Sequence, residues 1–148
     1  MSDLFKPVDV KRTGKNVRHF FETDFDHLMK YASPLSTVSN NRPDRQMSTN
    51  DFSSKDSDYQ EYARAKALAN ACQAAVKNCS PASRQIIEGV YCKGINNIQM
   101  QIRMNIGAAT YSRWKAKAMV EFADALLAET QRSSHVKAVD LHEYLRED

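Results

Sequence analysis

Apolar side chains recur along this chain at steps of three and four residues, which is the spacing of one face of an α-helix. The first such stretch carries aromatic residues on that face, and its apolar members are Val17, Phe20, Phe21, Phe25, Leu28 and Ala32. It should end at Ser33, because a residue before proline is steered out of the α region. No stretch alternates apolar and polar residues with the period of two that marks a half-buried strand. The pattern therefore predicts an all-α fold.

Further helices follow the first one. An Ala-rich helix is predicted at about 58–77, because alanine has the highest helix propensity. Ser80–Pro81 then offers an N-cap with proline in the first turn of a helix at about 81–92. Gly94 suits the left-handed residue that follows such a helix. Together these elements predict a helical bundle.

Two more helices are joined by a very short turn. A short helix is predicted at about 96–104, a turn at Met104–Gly107 and a long helix at about 108–129. The apolar residues of the short helix that should face inward are Ile98, Ile102 and Met100. The corresponding face of the long helix consists of Tyr111, Trp114, Ala118, Phe122 and Ala125.

A polar stretch separates the first helix from the others. Residues 33–57 are rich in Ser, Asn and Asp and almost free of large apolar side chains, which is typical of a flexible linker. The chain is thereby divided into an N-terminal arm and helix (1–32), the linker (33–57), a helical domain (58–129) and a C-terminal tail (130–148). A last short helix is expected within the tail, from Val136 to Leu145.

Composition excludes several classes of protein. Four glycines and four prolines are too few for the turns of a β-sandwich or barrel, and the glycines match no phosphate-binding loop. No apolar run reaches the roughly 18–20 residues of a membrane span and no signal peptide is recognised, so a cytoplasmic protein is expected. No catalytic signature is present, which argues against an enzyme. The spacing of Cys72, Cys79, Cys92 and the histidines predicts no metal or redox cofactor.

Charge is distributed unevenly along the chain. The formal net charge is only +3, from 21 basic and 18 acidic residues. However, no Asp or Glu occurs from Gly89 to Val120, and the basic residues of that stretch are Lys93, Arg103, Arg113, Lys115 and Lys117. Carboxylates near phosphates weaken binding, so an acid-free basic stretch favours a polyanion such as DNA as the partner.

Residues 94–118 have the arrangement of a helix-turn-helix, whose second helix enters the major groove of DNA. Asn105 can take the positive φ that the turn requires. The apolar residues expected to hold the two helices together are Ile102, Ile106, Tyr111 and Trp114. At about 100° per residue, the opposite face of the second helix is small near its start and basic further along.

That outer face has the chemistry of base recognition. Alanines let the backbone approach base edges and can touch a thymine methyl, and arginine can bind guanine through two hydrogen bonds. Arg113 is expected to read a base edge, while Lys115 and Lys117 are expected to neutralise phosphates. The candidate DNA-binding residues are Gln99, Arg103, Ala108, Ala109, Thr110, Ser112, Arg113, Lys115, Ala116 and Lys117.

The region from Ser80 to Leu126 resembles the C-terminal helix-turn-helix of sigma factors, known as region 4. It is still more similar to the ArpU family of phage-encoded transcriptional regulators. In that family a Tyr-x-Arg-hydrophobic-Lys run opens the recognition helix and a Glu-Phe-Ala run closes it. Residues 111–115 and 121–123 have this pattern, and residues 15–18 are similar to the basic helix start near the family's N-terminus.

The resemblance implies a regulator of late phage genes, for packaging, morphogenesis or lysis, that binds promoter DNA in the cytoplasm of the bacterial host. We therefore expect a sequence-specific transcriptional regulator whose partner is double-stranded DNA. RNA polymerase and a second copy of the chain stay open as further partners, and no membrane partner is expected. Two alternatives also stay open. One is a small terminase subunit that forms a ring for DNA packaging, and the other is an adaptor that docks on RNA polymerase without binding DNA.

Overall fold

Five helices form among residues 7–32, 52–134 and 136–145, which are the residues that the computed structural model describes. Three of them are continuous α-helices, namely α2 (Phe52–Asn78), α4 (Asn97–Met104) and α5 (Ala108–Arg132). The helix α1 runs through Val10–His19, a π-helical segment Phe20–Phe25 and Asp26–Ala32, while α3 (Pro81–Ile87) continues into the π-helical segment Glu88–Cys92. No described helix combines the length and hydropathy that crossing a bilayer requires.

One hydrophobic core is shared by α1, α2, α3 and α5, and α5 packs against the other three. The rings of Phe20 and Phe21 from α1 meet Phe122 of α5, with ring centroids 6.1 and 4.7 Å apart. The core residues of α2 are mostly small, which lets helix axes approach closely, and they are Ala69, Ala71, Cys72, Ala75 and Val76, followed by Cys79 just after the helix. The aromatic face predicted for the first helix is confirmed at its buried positions from Val17 to Leu28.

The segment 136–145 packs back against the start of the chain. Val8 and Tyr144 form an isolated antiparallel β-bridge. The Glu143 N–H donates to the Thr13 hydroxyl at 2.9 Å, and Thr13 is fully buried. The helix predicted within 136–145 is wrong, because backbone N–H groups of this segment bond to side chains and to the opening segment instead of to one another.

His142 attaches the same segment to α5. Its Nε2 lies 2.6 Å from Asp124 Oδ1, and its Nδ1 lies 2.6 Å from Asp140 Oδ1. The imidazole side chain is only 4% exposed. The Tyr144 ring stacks on the imidazole at 5.7 Å between centroids, and the Tyr144 hydroxyl donates to Asp140. The predicted polar tail is therefore an integral part of the folded unit.

Two helices begin earlier in the chain than the sequence pattern predicts. The helix α1 begins at Val10, well before Val17, the first apolar position of the predicted helix, because the Asp9 carboxylate caps it by accepting the Arg12 N–H at 3.0 Å. The helix α2 begins at Phe52, inside the predicted linker, where no apolar periodicity marks a helix. The remainder of that linker, residues 33–51, lies outside the described residues.

Candidate nucleic-acid interface

A Schellman arrangement closes the turn between α4 and α5. Asn105 has φ 56° and ψ 49°, in the left-handed region, so the positive φ predicted for it is confirmed. Its N–H donates to the Ile102 carbonyl at 3.1 Å, and the Ile106 N–H donates to the Gln101 carbonyl at 3.1 Å. These bonds satisfy carbonyls that the helix end would leave without partners, and they fix the direction in which α5 departs.

A small buried cluster holds α4 between α3 and α5. Ile86 of α3, Met100 of α4 and Tyr111 of α5 pack together, and each is at most 3% exposed. Gly89 makes room for this contact, since a Cβ at that position would lie 2.4 Å from Met100 Sδ. The three helices therefore form a fixed unit around the turn, with Met100 inward as predicted.

Asn97, in the first turn of α4, links that helix to α5. Its side-chain oxygen accepts hydrogen bonds from the Tyr111 hydroxyl at 2.6 Å and from the Lys115 ammonium at 3.0 Å. Lys115 Nζ also lies 5.9 Å from the centroid of the Tyr91 ring. Burial lowers the pKa of Lys115, and the positive charge of Arg18 lowers it further. Lys115 is thus directed toward α4 and α1, and not along the outer face of α5 where Arg113 and Lys117 lie.

The other candidate residues lie mostly on accessible surface. Those that are exposed are Gln99, Arg103, Ala108, Ala109, Ser112, Arg113 and Lys117, while Thr110, Lys115 and Ala116 are half-buried. The Arg113 guanidinium makes a long contact of 3.4 Å with the Thr110 hydroxyl and has no ion pair among the described residues. Arg113 and Lys117 are four residues apart and therefore lie on one face of α5. The structure thus brings a cation pair and a small-residue helix start onto one accessible face.

Two isoleucines of α4 point away from α5, so their predicted inward orientation is wrong. Ile98 is 69% exposed and Ile102 is 73% exposed. The reason lies in the side of α4 that faces α5, which carries the buried Met100 and the exposed Asn97, whose side chain bonds to Tyr111. A residue next to Asn97 is rotated by about 100°, which takes Ile98 and then Ile102 away from the contact. A polar residue with two hydrogen bonds occupies the position that the apolar pattern assigned to isoleucine.

Trp114 is more exposed than the inward orientation predicted for it on α5 implies. The residue is 38% exposed, whereas Tyr111, Ala118 and Phe122 are buried. Trp114 is thus at the border of the buried face, beside the surface that carries Arg113. It adds an aromatic ring to the accessible face of the candidate interface.

The basic residues of α1 belong to the same surface, which sequence reasoning missed. Lys11, Lys15 and Arg18 follow one another at helical spacing and line a cleft of about 380 Å³ between α1, α4 and α5. Lys115 and Ser112 line it from α5. The spacing of the three cations was visible in the sequence, but the packing of α1 against α5 was not. Hereafter this space is called the basic cleft.

The cysteines show no site of their own. Cys72 and Cys79 are buried, while Cys92 is exposed. Burial raises the pKa of the Cys72 thiol to about 12, which leaves it protonated and unreactive at neutral pH. Within the described part of the chain, no group of three or more His, Cys, Asp or Glu could hold a metal ion.

No protein-family model, curated protein or solved structure matches this chain. The resemblance to the ArpU family and to sigma factors therefore stays a prediction from the quoted motifs.

Proposed function

We propose that this protein is a sequence-specific DNA-binding regulator of transcription that inserts α5 into the major groove of duplex DNA. The observation that supports it is the exposed, acid-free face at the start of α5, which carries small residues followed by Arg113 and Lys117. The major groove admits an α-helix, and the small side chains of Ala108 and Ala109 permit close approach to base edges.

The way α5 is held also supports this proposal. A recognition helix discriminates between bases only if its side chains are held in register with the duplex. The turn at Asn105, the buried cluster around Met100 and the Asn97 hydrogen bonds fix α5 against α4. Regulation of late phage genes, as the resemblance implies, is the biological role proposed for this binding.

Selection from duplexes of random sequence, followed by anisotropy titrations at several salt concentrations, tests the proposal. The expected result is one enriched sequence, bound about a thousandfold or more tightly than scrambled DNA. The logarithm of affinity should fall linearly with the logarithm of salt concentration, because lysines and arginines displace counterions from phosphates. Equal, weak binding of every duplex would contradict sequence-specific recognition.

A second function is favoured by the apolar surface of α4. Ile98 and Ile102 are four residues apart, so they form an exposed apolar strip on one helix face. Such a strip suits docking on a protein, as the adaptor alternative requires. If the chain binds RNA polymerase without DNA, and Ile102→Ser abolishes that binding while Arg113→Ala does not, the adaptor function replaces the DNA-binding one.

A further inference from the structure

The basic cleft combines a concave shape with an unusual excess of positive charge. Lys11, Lys15 and Arg18 form its α1 wall, and Lys115 projects from α5. None of the described residues that line the cleft is acidic. Its volume of about 380 Å³ falls in the range of small-ligand sites, which is roughly 300–1,000 Å³.

The positive charges of the cleft repel one another, as the pKa of Lys115 shows. Burial is the first cause of the lowered pKa of Lys115, and the second is the charge of Arg18. Arg18 also opposes the rise that burial causes in the pKa of Tyr91. Glu22 supplies the opposing negative charge to Lys115, but it does not line the cleft. A bound anion would relieve the repulsion between Arg18 and Lys115.

Two residues that line the cleft, Tyr91 and Lys115, carry hydrogen-bond donors without full partners. The Tyr91 hydroxyl is buried and has no hydrogen-bond partner among the described residues, although Tyr91 lines the cleft. Its ring is fixed by stacking on Phe21, with centroids 4.4 Å apart and planes 6° from parallel. Lys115 uses one of its three donors on Asn97. The remaining donors of Lys115 can therefore bind a ligand in the cleft that accepts hydrogen bonds.

We infer that the basic cleft is a binding site for a phosphate group. A phosphate group carries one negative charge as a diester and up to two as a monoester, and its tetrahedral oxygens can accept hydrogen bonds from several sides, which suits four cations on two walls better than a planar carboxylate does. Arginine at the wall can bind such a group through two parallel hydrogen bonds.

Two sources of phosphate fit this chemistry. Ser112 and Ala116 line the cleft and also border the outer face of α5, so a duplex on that face would bring a backbone phosphate to the cleft mouth. This source rests on the proposed function. A small phosphorylated molecule in the cleft does not rest on it, and would bind whether or not α5 reads DNA.

Titration of the full-length protein with inorganic pyrophosphate at constant ionic strength, followed by amide and side-chain NMR, tests the site. Shifts are expected at Asn97 and at the cleft side of α1, but not at α2. Lys15→Gln and Lys115→Gln should each weaken binding about tenfold, as the loss of one charge-assisted hydrogen bond implies. Lys77→Gln, which removes an exposed lysine at the end of α2, should leave binding unchanged. Shifts spread evenly over all basic residues, or equal affinity in every variant, would overturn the site.

A second experiment identifies the source of the bound phosphate, and it uses a DNA duplex selected by the protein. If the duplex and pyrophosphate compete, and Lys15→Gln lowers the salt slope of DNA binding by about one, the site holds a backbone phosphate. If both bind together, the site holds a small phosphorylated ligand. If no duplex binds at all, the proposed function fails, and the pyrophosphate titration still decides whether the cleft binds phosphate.

Discussion

Glu121, in the middle of α5, accepts the backbone N–H of Ser80 at 2.8 Å and thereby caps α3 from another helix. The Ser80 and Ser83 hydroxyls donate to the other carboxylate oxygen at 3.1 and 2.9 Å. A negative charge at a helix N-terminus is favourable, because the N–H groups there are unpaired and carry partial positive charge. This contact joins the helix that supports the turn to the helix that carries the candidate interface.

Glu121→Ala should destabilise the protein by about 0.5–2 kcal/mol, the usual range for loss of a helix cap. Burial alone would raise the pKa of Glu121, but the hydrogen bonds from Ser80 and Ser83 and the charge of Lys117 lower it below its ordinary value of 4.5. A lowered folded-state pKa means that the carboxylate stabilises the fold at neutral pH. That contribution is lost as the pH falls through the folded-state pKa.

Chemical denaturation at several pH values measures this effect. The difference in unfolding free energy between wild type and Glu121→Ala should be largest near neutral pH and should shrink below about 4.5. Glu61→Ala, which removes an exposed carboxylate of α2, is the control and should show no such trend. A difference that is constant with pH would show that the carboxylate charge contributes nothing.

His142 should make the attachment of the C-terminal segment sensitive to pH. Burial alone would lower the pKa of His142, but its hydrogen bonds to Asp124 and Asp140 and their charges outweigh burial and raise it above the ordinary 6.5. A raised folded-state pKa gives stabilisation that is complete below 6.5 and is lost as the pH rises through the folded-state pKa. Both ring nitrogens face a carboxylate, so only the doubly protonated ring donates to both.

Hydrogen exchange of residues 139–145 between pH 6 and 9 measures this loosening, after correction for the intrinsic pH dependence of exchange. Protection of the Glu143 amide, which donates to Thr13, should decrease as His142 loses its proton. In His142→Gln the protection should be lower and independent of this titration. The matched control is His19→Gln on the exposed face of α1, which should behave as wild type. If protection in wild type is the same across this range, the His142 contact is not charge-dependent.

Trp114→Ala should reduce stability far less than Phe122→Ala. Phe122 is fully buried in the core and Trp114 is 38% exposed. Replacing a buried aromatic residue by alanine costs about 3–5 kcal/mol, whereas a residue at the border of a helix face loses only part of its packing. Thermal unfolding of the two variants measures which of them is less stable. A Trp114→Ala variant as unstable as Phe122→Ala would place the indole ring in the core after all.

Arg113→Ala and Lys117→Ala should weaken DNA binding in different ways. Loss of a two-bond base contact costs about 1–3 kcal/mol of discrimination, so Arg113→Ala should narrow the gap between selected and scrambled duplexes. Lys117→Ala should weaken both equally and lower the salt slope by about one. Lys77→Ala on α2 serves as the control, and anisotropy titrations at several salt concentrations supply the data. Variants that bind every duplex as wild type does would remove this face from the interface.

The α4–turn–α5 unit could be read from the sequence because its signals are local. Asn105 tolerates the left-handed conformation by itself, and the α4 and α5 boundaries follow from periodicity within one helix. The orientation of α4 is different, because it depends on which partner each side chain finds. Asn97 faces α5 because Tyr111 and Lys115 bond to it, and no pattern of apolar residues contains that information.

The basic cleft could not be predicted either, because it depends on contacts between helices that are far apart in the sequence. Lys11, Lys15 and Arg18 read as a solvated helix face until α1 is placed against α5, far along the chain. The polar segment that contains His142 likewise read as a tail, because its bonds to Asp124 and to Thr13 involve distant elements. Hydrophobic periodicity identifies the helices, but the packing and polar contacts between helices determine which charged side chains come together.

The bridge between Val8 and Tyr144 has a consequence for the order of folding. The contacts between Thr13 and Glu143 join residues 130 positions apart in the chain, and such non-local contacts repay the entropy of loop closure only late. During synthesis from the N-terminus, the segments that form α3, α4 and α5 precede residues 136–145. The α4–turn–α5 unit, whose contacts are local, can therefore form before the first turn of α1 acquires the segment that buries Thr13.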